Sequence, residues 1–128
     1  MTEAGTQAAT LTLALAGELD VGTQATTSAL IEKALNAAPR VLVLDLREVD
    51  FLGSTGLSVL IEAQRTAEAR NTLICLVTNR RATLLPLELT GLTTMFPMFK
   101  TPEEAKRSAH VQREQARVVP RVGTDVRQ

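Results

Sequence analysis

The sequence predicts an α/β fold from three observations. The run VLVL at 41–44 is apolar at every position, LICLV at 73–77 repeats that signature, and between them apolar residues recur with the period of a helix from Leu57 onward. A strand apolar throughout is expected where both faces of a sheet are covered. Two such strands flanking one helix form a right-handed βαβ unit with parallel strands.

Taken in order, Leu11, Leu13 and Leu15 alternate with Thr12, Ala14 and Ala16, which predicts a half-buried strand ended by Gly17. After the GELD turn, Asp20 or Thr23 can cap a helix with Leu30, Ile31, Ala34 and Leu35 on one side, stopped by Pro39. The central strand VLVL is expected to end at Asp45 and Leu46. The next helix carries Leu57, Leu60, Ile61 and Ala63 inward and Ser58, Glu62, Arg65 and Glu68 outward, to about Arg70, with Asn71 as its stop. Residues 80–90 read as helical, but Pro86 lacks a backbone donor, which predicts either a kink or a late start. In TPEE, Thr101 is an N-cap, Pro102 opens the last helix and Glu104 completes a capping box. The charged KRSAHVQREQARV and the unpatterned PRVGTDVRQ that follow predict fading order. There is no internal repeat.

At 128 residues the chain can build one hydrophobic core, and 45% hydrophobic with 22% charged residues is the balance of a globular protein. No apolar run approaches the ~20 residues that span a bilayer. The first ten residues have neither a basic start nor an apolar stretch, so no secretory signal and a cytoplasmic location are expected. The single cysteine, Cys75, falls within LICLV and is expected to be a buried structural thiol. The formal net charge of zero conceals a polarity. Residues 1–105 hold eight Lys or Arg against twelve Asp or Glu, and residues 106–128 hold six against two. An acidic body with no Tyr or Trp and three Phe is a poor nucleic-acid binder, and the basic tail reads as solvent-facing.

The chemistry concentrates in VDFLGSTGLSVLIEA, where a strand passes through a short Gly-containing turn directly into a helix. Ser54 stands at that entrance. The orphan N–H groups and partial positive charge of a helix N-terminus accept a capping hydroxyl and tolerate a phosphate, so Ser54 can serve as a plain N-cap or as a reversible switch. Catalysis is not supported. The only histidine, His110, lies in the charged C-terminal segment; GSTGLS has Leu57 where a P-loop carries lysine; Ser54 directly follows Gly53, unlike a nucleophile elbow; and no Cys/His cluster suggests a metal.

The order GELD, VLVLDL, VDFLGSTGL and LELTGL, followed by Phe96, Phe99 and EEA, resembles the bacterial anti-sigma factor antagonists of the STAS domain family, from about Leu11 to Ala105. The resemblance implies a mostly parallel sheet of four to five strands with about four helices, no cofactor and no catalysis. The implied partners are an anti-sigma factor, whose capture frees a sigma factor, a serine kinase that is often the anti-sigma factor itself, and a serine phosphatase. Ser54 occupies the phosphorylated position. Asp20 and Thr23 match the contact turn with Gly17 and Glu18, and Gly53, Thr55, Gly56, Leu57 and Ser58 surround Ser54 on the same contact surface. For Asp20 and Thr23 a capping role alone is the competing expectation. Thr55 is a conceivable second acceptor, and Asp45 matches an acidic strand end without requiring a function.

The resemblance also defines the parts: an N-terminal arm over residues 1–10, at most a weak edge strand; a STAS domain over 11–105; and a basic helical extension with a disordered tail over 106–128. Three departures stand out. Gly53 replaces the Asp common before the phosphorylated serine, the strand that usually precedes GELD has only ten weakly patterned residues available, and the basic tail and Pro86 are additions. The Gly53 departure leaves a second reading open, a constitutive STAS-type module that binds a protein or ligand without phosphorylation.

Overall fold

A computed structural model describes residues 10–108. Four strands, β1 (Thr10–Leu19), β2 (Val41–Leu52), β3 (Leu73–Val77) and β4 (Met98–Phe99), form one parallel sheet in the order β1-β2-β3-β4. The connections are the helices α1 (Gln24–Asn36), α2 (Ser54–Ala69) and α3 (Arg81–Leu89), the last followed by a 3-10 turn at Leu92–Thr94. A further helix, α4, covers 102–108. The predicted α/β class with parallel βαβ units is thus what the chain adopts. The N-terminal arm before Thr10, His110 and the tail beyond 108 lie outside the described residues.

Both long strands run further than their patterns suggested. β1 continues through Gly17 to Leu19, and β2 continues past Asp45 and Leu46 to Leu52. The reason is two register shifts. Ala14 and Ala16 face Asp45 and Glu48, and Gly17 and Glu18 face Val49 and Phe51, so β2 carries one extra residue at each step. Each bulge turns the strand by one position, and the buried residues Leu46, Val49 and Leu52 therefore recur every third residue. That spacing fits no flat strand. Gly17, at φ 82, supplies the left-handed conformation at the second shift.

The core has two unequal parts. On one face Leu15, Leu19, Leu42, Leu44, Leu46, Ile74 and Leu76 pack against Ile31 and Leu35 of α1, Leu60 of α2, Leu87 of α3, and Leu92 and Phe96. On the other, Val41, Val43, Cys75 and Val77 pack with Ala105 of α4. This is why VLVL and LICLV are apolar at every position.

Helix ends follow local chemistry. At the end of α2, Asn71 adopts φ 60, and the N–H groups of Asn71 and Thr72 donate to the carbonyls of Glu68 (3.3 Å) and Ala67 (2.9 Å), a Schellman closure on the predicted stop residue. At the end of α1, Ala38 takes the same left-handed conformation (φ 57), because Pro39 allows no further helix. An alanine is strained there. Ala38→Gly should therefore raise stability by about 0.5–1 kcal/mol, the left-handed penalty less the entropy of glycine, a shift that urea unfolding would reveal.

Three local expectations need correction. Leu30, placed on the inner side of α1, is exposed, and the buried stripe is Thr27, Ile31 and Leu35. α3 starts at Arg81 and runs through Pro86, so it does not start late. In the capping box of α4, the Glu104 N–H does donate to Thr101 Oγ1 (3.1 Å), but the Glu104 carboxylate accepts from the Lys100 N–H (3.1 Å) rather than from Thr101.

Cys75 is fully buried, and burial pushes its thiol pKa up to about 12. A neutral, enclosed thiol is inert. Alkylation by iodoacetamide should be negligible in the native protein and complete in denaturant; comparable native labelling would contradict this packing.

Candidate functional site

The C-terminal ends of β1 and β2 and the start of α2 meet in one tight junction. The Gly53 N–H donates to the Leu19 carbonyl (3.0 Å), joining the two strand ends, and the Leu57 N–H donates to the Gly53 carbonyl (3.0 Å), the first bond of α2. Gly53 is the N-cap, in extended conformation (φ −87, ψ −179), and Ser54 is the first helical residue. The plain N-cap reading of Ser54 is thereby replaced. Its side chain is free of that duty and exposed.

Gly56 fixes how closely the helix approaches. A Cβ at this position would collide with the Leu19 carbonyl oxygen and lie 2.9 Å from Leu52 Cδ1 and 3.0 Å from Leu19 Cβ. Gly56 was expected at the contact surface; it is buried beneath those residues, and its part is to seat α2 on the strand ends. Thr55 and Leu57 are half-buried, Leu57 packing against the core, while Ser58 is exposed one turn below Ser54. Of the two neighbouring hydroxyls at the helix start, Ser54 is the accessible one.

Asp20 and Thr23 lie beside this junction, and neither caps α1 with its side chain. The Thr23 hydroxyl donates back to the Glu18 carbonyl (2.6 Å) and accepts the Asp20 N–H (3.2 Å), and the Asp20 carboxylate accepts the Gly22 N–H (3.1 Å). Both side chains are spent on closing the turn. The Asp20 Cβ lies 3.3 Å from the point where a Gly53 Cβ would stand, so the turn abuts the entrance to α2. The structure thus brings Asp20, Gly53 and Ser54 together.

No acidic residue occupies the first turn of α2. The junction therefore presents the orphan N–H groups and partial positive charge of a 16-residue helix at the base of an exposed hydroxyl. A phosphate on Ser54 fits that electrostatic setting without unfolding the helix. Asp45 is set back in the sheet, where Arg47 clasps its carboxylate through Nε (3.0 Å) and Nη2 (2.9 Å). Burial would raise the Asp45 pKa, but the side-chain and backbone hydrogen bonds from Arg47 and its charge together hold it below the usual value.

Two contributors escaped the sequence reading. Arg80 donates from Nη1 to the Val49 carbonyl (3.3 Å) and to Asp50 Oδ1 (3.0 Å), pinning the second bulge just upstream of the junction. Phe51 is 49% exposed, with its ring edge beside Gly53. No spacing argument reveals Arg80, since its partners depend on the bulge; the exposed phenylalanine in VDFL was visible but read only as strand. Among the described residues no group of His, Cys, Asp and Glu could hold a metal, and no helix is long and apolar enough to cross a membrane.

Comparison with known proteins identifies the family and the fold. The chain is 32% identical over 93 residues to the anti-sigma-F factor antagonist RsfB of Mycobacterium tuberculosis, covering 73% of this chain and 75% of that protein. It superimposes on the crystal structure of an anti-sigma factor antagonist from Mycobacterium paratuberculosis with a TM-score of 0.71 and 31% identity, over 76% of this chain and 82% of the other. The fold is shared with the anti-sigma factor antagonist SpoIIAA in its unphosphorylated form, at a TM-score of 0.68 and 22% identity, over 80% of this chain and 90% of the other. The family model for the STAS domain matches residues 2–105, and with these relatives it establishes that the chain belongs to the STAS domain family.

Proposed function

We propose that the protein is an anti-sigma factor antagonist that captures an anti-sigma factor while Ser54 is unphosphorylated and so releases a sigma factor. The observation that carries this reading is the exposed Ser54 at the first position of α2, on a junction that has no other use for its hydroxyl and adjoins the Asp20 turn. The names of the relatives supply the partner class. The anti-sigma factor or a separate serine kinase transfers phosphate from ATP to Ser54 Oγ, and a phosphatase removes it. The protein performs no chemistry of its own and acts in the cytoplasm. Asp20, Thr23, Gly53, Thr55, Leu57 and Ser58 frame the contact surface.

A direct test adds the purified protein to a preformed complex of anti-sigma and sigma factor from the same organism. Displacement of the sigma factor by unphosphorylated protein supports the reading; a complex that stays intact with every anti-sigma factor of that organism would refute it. Gly53 favours one alternative, a constitutive STAS-type module that binds its protein or ligand without phosphorylation, because the Asp common at this position is absent. Such a module would bind equally well whatever stands at position 54.

A further inference from the structure

Position 53 and position 51 are coupled. A Cβ on Gly53 would stand 2.9 Å from Cε2 and 3.4 Å from Cζ of Phe51, so the ring edge occupies the room that a side chain at 53 would need. Phe51 is 49% exposed, and Val21, next to Asp20 in the adjoining turn, is 75% exposed. Of the other two phenylalanines, Phe96 is buried and Phe99 half-buried. A lone exposed apolar side chain requires no explanation. Here Phe51 lies against Gly53, the residue before the exposed Ser54, and Val21 belongs to the turn whose Asp20 abuts the same glycine, on a rigid seat with Gly53 hydrogen-bonded to Leu19, Gly56 pressed under Leu19 and Leu52, and Arg80 holding the preceding bulge.

We infer that Phe51, seated by Gly53 beside Ser54, is a specificity-determining contact of this protein with its anti-sigma kinase, entering an apolar recess that flanks the kinase's phosphotransfer site. This deepens the proposed function and rests on it, because the occupant is the partner that meets Ser54. An enzyme that phosphorylates Ser54 must bring its γ-phosphate to Oγ, so its surface comes down on the end of β2, where Phe51 is exposed three residues before Ser54. Aromatic anchors that become fully desolvated carry a large share of interface energy. A hydrated phosphate on Ser54 would hold the recess away from the ring, so one modification would remove the anchor together with the hydroxyl contact. The unusual glycine then has a consequence of its own. It sets a ring position that a side chain at 53 would displace, and so selects a partner whose recess matches.

The test is calorimetric titration of each purified ATP-binding anti-sigma factor encoded in the same genome with wild type, Phe51→Ala, Gly53→Asp and the double variant, alongside thermal unfolding of each free protein. The expected result is one partner that binds wild type, about a 30-fold weaker complex for Phe51→Ala (about 2 kcal/mol) at nearly unchanged melting temperature, and a weakening by Gly53→Asp that vanishes once Phe51 is already Ala. Affinity of Phe51→Ala within about twofold of wild type, for a partner that still rejects Ser54→Glu, would overturn the inference and leave the proposed function standing. An undiminished effect of Gly53→Asp in the Phe51→Ala background would overturn the seating role of Gly53. If no anti-sigma factor binds wild type, the inference falls with the reading beneath it.

Discussion

Ser54→Glu is expected to bind the anti-sigma factor about a hundredfold more weakly than wild type, while Ser54→Ala binds within about threefold. A hundredfold loss corresponds to about 2.7 kcal/mol, within reach of a carboxylate forced to shed water at a contact it does not match. The fold should not register the change. Ser54 is exposed, it is not the N-cap, and a negative charge in the first turn of α2 is mildly favourable, worth about 0.3–1 kcal/mol. Thermal unfolding of Ser54→Glu should therefore match or slightly exceed wild type. A Glu variant that lost affinity by unfolding would undermine the argument, and so would Glu and Ala variants of equal affinity, which the constitutive module predicts.

The second large effect concerns Gly56. Replacing a helical glycine by alanine ordinarily gains about 1 kcal/mol of helix propensity. At position 56 that gain is expected to be reversed into a net loss of about 3 kcal/mol, because the new methyl group meets the backbone carbonyl of Leu19, which cannot rotate away. For about a hundred ordered residues this lowers the melting temperature by some 10–20 °C. Gly53→Ala provides the contrast, since its methyl group meets chiefly the free edge of the Phe51 ring. It should cost well under 1 kcal/mol. Similar melting temperatures for Gly56→Ala and wild type would show that α2 can slide on the strand ends and that the junction is not rigid.

Much of the architecture was legible from period and punctuation. Fully apolar VLVL and LICLV announced two-sided burial, the pattern after Leu57 announced α2, and Asn71 and Thr101 marked an end and a start that the structure confirms. What remained illegible has physical causes. The bulges in β2 erase the two-residue period over LREVDFL, so the strand was expected to end at Asp45 and Leu46 when it extends to Leu52. α4 reads as a charged, solvated helix because only Pro102 and Ala105 are buried along its described residues, yet Ala105 belongs to the packing over Val43 and Cys75. The buried pairing of the Thr78 and Thr83 hydroxyls, like the reach of Arg80 to Asp50, is a tertiary contact that no local pattern encodes.

The candidate site was legible in a different way. Ser54 was singled out by the strand-turn-helix pattern, its phosphorylation and the contact roles of Asp20 and Thr23 came from a resemblance, and the structure supplies their surroundings: an accessible hydroxyl, a turn closed by its own hydrogen bonds, and a glycine that serves as N-cap. Phe51 was overlooked because alternation alone cannot assign a face beyond a bulge.

The central claim is that Ser54 is a phosphorylation switch, and the measurement that tests it most directly is the intact mass of the protein isolated from its own cells, growing and stressed, beside a Ser54→Ala version. The account predicts a phosphate-sized increment that changes with condition and is absent from Ser54→Ala. An unmodified mass under every condition, or an increment that survives in Ser54→Ala, would contradict it.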